Sequence, residues 1–164
     1  MLIASATQKM IEFYDGNCHD INHFLKVWAF ARTIGELEGL DGHTQTVLEL
    51  AALVHDIACP LCREKYGNTN GKRQEEEGDP LARSFLADAG LPGEQVDRVA
   101  YLVGHHHTYT GIDGIDYQIL IEADYIVNAS ESGYSPENRK DFLEKHMKTE
   151  SGKRLLRSTF CMEA

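Results

Sequence analysis

The apolar positions of this chain recur at three- and four-residue intervals over most of its length, the spacing that lines side chains along one face of an α-helix. In "INHFLKVWAFARTIGELEG", Ile21, Phe24, Leu25, Trp28 and Ala31 keep that rhythm behind Asp20, which is placed to cap the helix, with Gly39 as its stop. "TQTVLELAALVHDIA" is apolar on all sides, as a helix at the centre of a domain must be, and Pro60 ends it or follows its last turn. Gly67, Gly71 and Gly78 predict irregular backbone through the polar stretch that follows. Asp79-Pro80 then reads as the N-cap and first residue of a new helix, closed by Gly90. "GEQVDRVAYLVGHHH" predicts an amphipathic helix with Val96, Val99, Ala100 and Val103 inward, and "YQILIEADYIVNAS" a short, strongly apolar one. Ser135-Pro136 opens a last helix through about Lys148, and the pattern of the tail "GKRLLRSTFCMEA" decides nothing. Strand patterns are nearly absent. The expectation is an all-α bundle of about six to seven helices around one core.

A length of 164 residues suits one domain over 1–164, with a core at 20–130 and a C-terminal helix and tail at 135–164. The 26 acidic residues outnumber the 16 basic ones, a net charge of −10, which argues against binding duplex nucleic acid. A phosphate-bearing small substrate stays open, because a metal ion reverses the sign of charge inside a pocket. The apolar runs are broken before they reach the length of a membrane span, and the N-terminus has no signal-peptide pattern. The expectation is a cytoplasmic protein without a membrane partner, with self-association left open. Cys59 and Cys62 form the one close cysteine pair, and Cys18 and Cys161 do not complete a zinc set. The pair reads as two small reduced thiols, with a metal or redox role as the alternative.

Candidate chemistry changes the picture more. His23, His55, Asp56 and Asp124 all fall on expected helices in apolar surroundings, where an unpaired charge is costly. Two imidazoles and two carboxylates make a divalent-metal cage that suits iron, manganese, cobalt, nickel, zinc or magnesium. Adjacent helical residues diverge by about 100°, so His55 and Asp56 can occupy neighbouring vertices of one ion if other helices supply the rest.

The order His23, His55-Asp56, Asp124, in the contexts "INHFLKVWAFA", "AALVHDIA" and "EADYI", resembles the HD superfamily of metal-dependent phosphohydrolases over roughly Asp20 to Ser130. That superfamily has an H…HD…D ligand pattern on an all-helical domain. The resemblance implies that His23, His55, Asp56 and Asp124 hold a metal. It also sets the run His105 to His107 where two-metal members carry extra ligands, which makes His105 and His106 candidates; a solvated helix end is the other reading. Such members have a further His in an "H-G-P" context, where "EGDP" here puts Glu77, so Glu77 is a second-metal or catalytic candidate and the count of one or two ions stays open. A subgroup carries a "GK-Q-E-EG-P" stretch like the one here, which implies a phosphate clamp of Lys72 and Arg73 in place of a merely solvated loop. The implied activity is hydrolysis of a nucleotide-like or other phosphorylated small molecule by a metal-activated water. The alternatives are a diiron oxygenase of the same fold and a non-catalytic module that binds metal or nucleotide. The "GYP" signature of the cyclic-dinucleotide branch is missing.

Overall fold

Short polar side chains set where the helices begin. Asn17, Asp41, Asn70, Ser135 and Thr149 each accept a hydrogen bond from a backbone N–H of the turn they precede, an arrangement worth about 1 kcal/mol apiece. The structure is a computed structural model that describes residues 2–163; the two end residues of the expected domain lie outside the described residues. Among the described residues there are nine helices and no strand: α1 (Leu2–Tyr14), α2 (Cys18–Leu37), α3 (Gly42–Val54), α4 (Cys59–Tyr66), α5 (Gly71–Leu86), α6 (Gly93–Val103), α7 (Ile115–Glu131), α8 (Pro136–Lys145) and α9 (Glu150–Phe160).

The all-α expectation holds, and the two helices with the least polar patterns are the most buried. Val47 to Val54 of α3 and Asp116 to Val127 of α7 are buried without interruption, because a helix apolar all round has no face to offer water. α2 packs on both, α1 and α6 on α3, α5 on α6, α4 on α5, and α9 on α7. By length and composition alone the stretch Gly42–Tyr66 could cross a membrane, but most of it lies inside this core and a turn interrupts it.

Four expectations are corrected, the first being that Asn17 rather than Asp20 caps α2, which starts at Cys18 and has Asp20 in its first turn. The polar stretch after α3 is irregular only around 67–70; Gly67, at φ +71°, ends α4 and Asn70 caps α5. Gly71 and Gly78 lie inside α5, where they serve close packing. A Cβ on Gly71 would sit 2.7 Å from the His107 ring, and one on Gly78 2.8 Å from Val103. No helix starts at Asp79-Pro80, because α5 runs through Pro80; the carbonyl that loses its donor belongs to the exposed Glu76. Finally, α8 stops at Lys145, short of Lys148, and the tail forms α9. With α4, this accounts for the excess over six to seven helices.

The tail's helicity has a tertiary cause. Glu122 of α7, fully buried, accepts hydrogen bonds from Gln118 Nε2 (2.7 Å), the backbone N–H groups of Lys148 (2.6 Å) and Thr149 (3.0 Å), and the Thr149 hydroxyl (2.5 Å). Thr149 in turn caps α9 at Gly152, where any Cβ would lie 2.1 Å from Glu122 Oε2. A buried carboxylate bonded this way tolerates no loss of partners. Glu122→Ala is therefore expected to lower the unfolding free energy by about 3 kcal/mol, read as a lower urea midpoint; an unchanged midpoint would remove Glu122 as the anchor of α9.

Candidate metal centre

Sequence periodicity carries the third helix through His55-Asp56, but α3 ends at Val54 and the pair occupies a turn between α3 and α4. Pro60 explains the break. In a continuous helix the Asp56 carbonyl would need the N–H of residue 60, which proline lacks, and the ring would collide with that carbonyl. The carbonyl accepts instead from the Cys59 N–H (2.8 Å) and the Tyr14 hydroxyl (2.7 Å). The turn closes with three-residue hydrogen bonds, Ile57 N to Val54 O among them, and Pro60 takes up the first turn of α4.

This turn meets α2 and α7. His23 Nε2 lies 3.2 Å from His55 Nε2, 3.3 Å from Asp124 Oδ1 and 3.5 Å from Asp56 Oδ2. His55 Nε2 lies 3.5 Å from Asp124 Oδ1 and 3.6 Å from Asp56 Oδ2. The outer nitrogen of each ring is held: His55 Nδ1 by the Ala52 carbonyl at 2.9 Å, and His23 Nδ1 by Glu131 at 2.8 Å. Acceptors on the outer nitrogens place the protons there and leave the Nε2 lone pairs facing inward, the usual support for histidine ligands. Asn128 donates to Asp124 Oδ1 at 2.8 Å, and Lys26 pairs with Glu131 at 3.0 Å.

Two imidazole nitrogens 3.2 Å apart among carboxylates need a positive charge between them. The titration preferences agree. Burial disfavours a charged His23, yet the hydrogen bond to Asp124 and the charges of Asp56 and Asp124 outweigh it and hold its pKa up at about 9. Burial also opposes ionised Asp56 and Asp124, but the surrounding imidazoles keep both carboxyls below the ordinary range. The donor set thus fits a divalent cation, and His23, His55 and Asp56 have ligand atoms within 4.8 Å of one another.

The histidine run splits three ways. His106 is fully buried, its Nδ1 donates to the Val103 carbonyl (2.7 Å), and its Nε2 lies 3.5 Å from Asp56 Oδ1 without a hydrogen-bond partner. His107 Nε2 is likewise buried and unpartnered, and Asp56, His106 and His107 form a second trio within 4.8 Å. Burial and then the neighbouring His106 push the His107 pKa down to about 4, so its ring is neutral at pH 7. His105 points elsewhere: its Nδ1 donates to the Tyr101 carbonyl and its ring stacks on Tyr101.

The structure also separates Glu77, Lys72 and Arg73 from the cluster. The Glu77 carboxylate accepts from Lys65 and the Tyr66 hydroxyl, both at 2.6 Å, on the side of α5 that faces α4. Glu75, two residues earlier and so about 200° round the helix, instead accepts from the His107 N–H and the Thr108 hydroxyl and pins the histidine loop. Lys72 is exposed, and Arg73 pairs with Glu76 and lies over the Tyr66 ring. Sequence reasoning passed over His107, Asn128 and Glu131. The last two stand four and seven residues after Asp124, a spacing that places all three on one helix face. Cys59 borders the pocket with its thiol donating to Gln74 Oε1, and burial pushes that thiol's pKa far up; Cys62, three residues on, is also buried, and all four cysteines are free.

Comparison with known proteins follows the same lines. The profile of the HD domain matches residues 20–150. A predicted HD superfamily hydrolase from an uncultured Thermotogales bacterium is similar in structure, with a TM-score of 0.67 at 23% identity over 97% of this chain and 83% of that one. YpgQ of Bacillus subtilis is similar with a TM-score of 0.62 at 18% identity over 99% of this chain and 90% of its own. At these identities the likeness is one of fold. Among curated proteins none matches the chain.

Metal content tests the geometry directly. Loaded and desalted wild-type protein is expected to keep about one ion per chain or more, and Asp56→Ala close to none; elemental analysis that finds full metal in the variant would place Asp56 outside the centre. Glu131→Ala, which frees the outer nitrogen of His23, should weaken metal affinity by about 10- to 100-fold, measured by competition with a chelating dye.

Proposed function

The chain belongs to the HD domain family, and on that premise we propose that it is a metal-dependent phosphohydrolase acting on a nucleotide-like or other phosphorylated small molecule. The observation that carries this reading is the convergence of His23, His55, Asp56 and Asp124, with inward Nε2 lone pairs, where His23, Asp56 and Asp124 line a pocket of about 320 Å³ and His55 lies buried behind them. We assign these four residues as the metal ligands. A bound divalent ion supplies Lewis-acid charge to phosphoryl oxygens and a water acidic enough to attack at neutral pH.

The chain's own groups supply the rest. Glu131 and the Ala52 carbonyl keep the protons of His23 and His55 on Nδ1, and Asn128 fixes the Asp124 carboxylate. Asp56 has the more exposed of the two carboxylates, at 23% against 5% for Asp124, so Asp56 is the carboxylate that an attacking water can reach and hand a proton to. His106 Nε2, 3.5 Å from Asp56 Oδ1, is the imidazole placed to share that proton. Tyr109 and Tyr134 also line the pocket, and the organic part of a substrate would lie against them.

A second reading, diiron oxygen chemistry, is favoured by one feature: Asp56 belongs to both donor trios and so can face two ions. A panel of phosphorylated metabolites, assayed with manganese, cobalt, magnesium, zinc, nickel and ferrous iron, separates the two. Phosphate or pyrophosphate release that falls at least a hundredfold, about 2.7 kcal/mol of transition-state stabilisation, in Asp56→Ala is the expected result. Oxygen uptake by the iron-loaded protein, with no release from any member of the panel, would overturn it.

A further inference from the structure

We infer that Arg63 is the side chain that recognises the phosphate oxygens of the substrate, a step that rests on the phosphohydrolase reading for its substrate class. The pocket over the His/Asp cluster is bordered by four carboxylates, Asp20, Asp56, Asp124 and Glu131. Among the described residues that line it, Arg63 is the one lysine or arginine. An anion entering this pocket meets these four carboxylates, opposed by Arg63 and by the cation or proton that the cluster holds.

Its placement follows from α4. Cys59 and Arg63 are four residues apart and so share a face of that helix, and both border the pocket. The helix begins immediately after the Asp56 turn, which carries Arg63 one turn outward from the cluster. Asp20 fixes the guanidinium there: Nη1 donates to Oδ2 at 2.5 Å and Nη2 to Oδ1 at 3.0 Å. The two ends of this pair differ. Asp20's side chain is 9% exposed and is itself held by Asn17 Nδ2 at 2.9 Å, whereas Arg63's is 44% exposed. The carboxylate is thus the buried anchor and the guanidinium the accessible end.

The pair makes little sense as stability alone, since a half-exposed ion pair contributes at most about 1 kcal/mol. As a recognition device it is well built. Arginine has five N–H donors in a rigid plane; two go to Asp20, and the other three have no partner among the described residues. A planar fork already held in place loses little freedom when it meets phosphate oxygens. Lys72 and Arg73, the cations that sequence pattern favours, do not border this pocket.

Binding of inorganic phosphate to the full-length, metal-loaded protein, followed by calorimetry, tests the assignment alongside metal content and steady-state kinetics. Arg63→Gln is expected to weaken phosphate binding and raise KM by about 10- to 100-fold, the loss of charged hydrogen bonds, with metal content unchanged and kcat much less affected. Arg63→Lys should recover only part of the affinity. Arg63→Gln that keeps its metal and binds phosphate like wild type overturns the inference, as does loss of metal in that variant or absence of phosphate binding to the loaded wild type. If Arg63→Gln fails to fold, Arg63→Lys decides, and wild-type affinity there overturns it. A wild type that binds phosphate through Arg63 but hydrolyses nothing in the panel refutes the activity and leaves the recognition role standing.

Discussion

His23, His55, Asp56 and Asp124 share a few ångströms at the junction of α2, α7 and the α3–α4 turn, with all but Asp56 buried. Charge held this way is tolerable only if a cation or a proton sits among the four. That requirement organises what surrounds it. The outer nitrogens of the imidazoles meet acceptors, so that the inner ones carry lone pairs. Pro60 interrupts the helix, so that Asp56 lies in the turn between α3 and α4 and its backbone carbonyl is satisfied by Cys59 and Tyr14. Protonation of His23 near pH 7 is what the same electrostatic demand produces when no metal answers it.

The central helix α7 serves two masters through its periodicity. Asp124, Asn128 and Glu131 lie along one face and build the centre and its support. Glu122, two residues before Asp124 and therefore on nearly the opposite side, binds the start of α9. Within the short string "EADYI" the two carboxylates thus have unrelated tasks, one facing the pocket and one closing the fold.

A similar division runs along α5. Glu75 holds the histidine loop, and Gly71 gives the His107 ring the space it needs. Glu77, on the other side, ties α5 to α4 through Lys65 and Tyr66. The centre is therefore supported from both α5 and α7, while α4 carries Arg63 to its rim. Among the described residues that line it, the pocket gathers four carboxylates and one guanidinium.

The sequence by itself determined the helical class, the family pattern and the set of residues with chemistry in common. Each depends on local periodicity, or on a side chain whose burial would be costly without a partner, as with Asp124 amid "LIEADYIV". Only the tertiary structure decided which neighbours those residues have. It turned His107 toward Asp56 and His105 away, chose Glu75 over Glu77 for the loop, and set Arg63 rather than Lys72 or Arg73 at the pocket. It also made α9 from a tail whose own pattern was undecided, through a carboxylate distant in sequence. The reason is common to all of these: periodicity states which residues share a face, but the face that a partner helix covers is settled by packing between segments far apart in the chain.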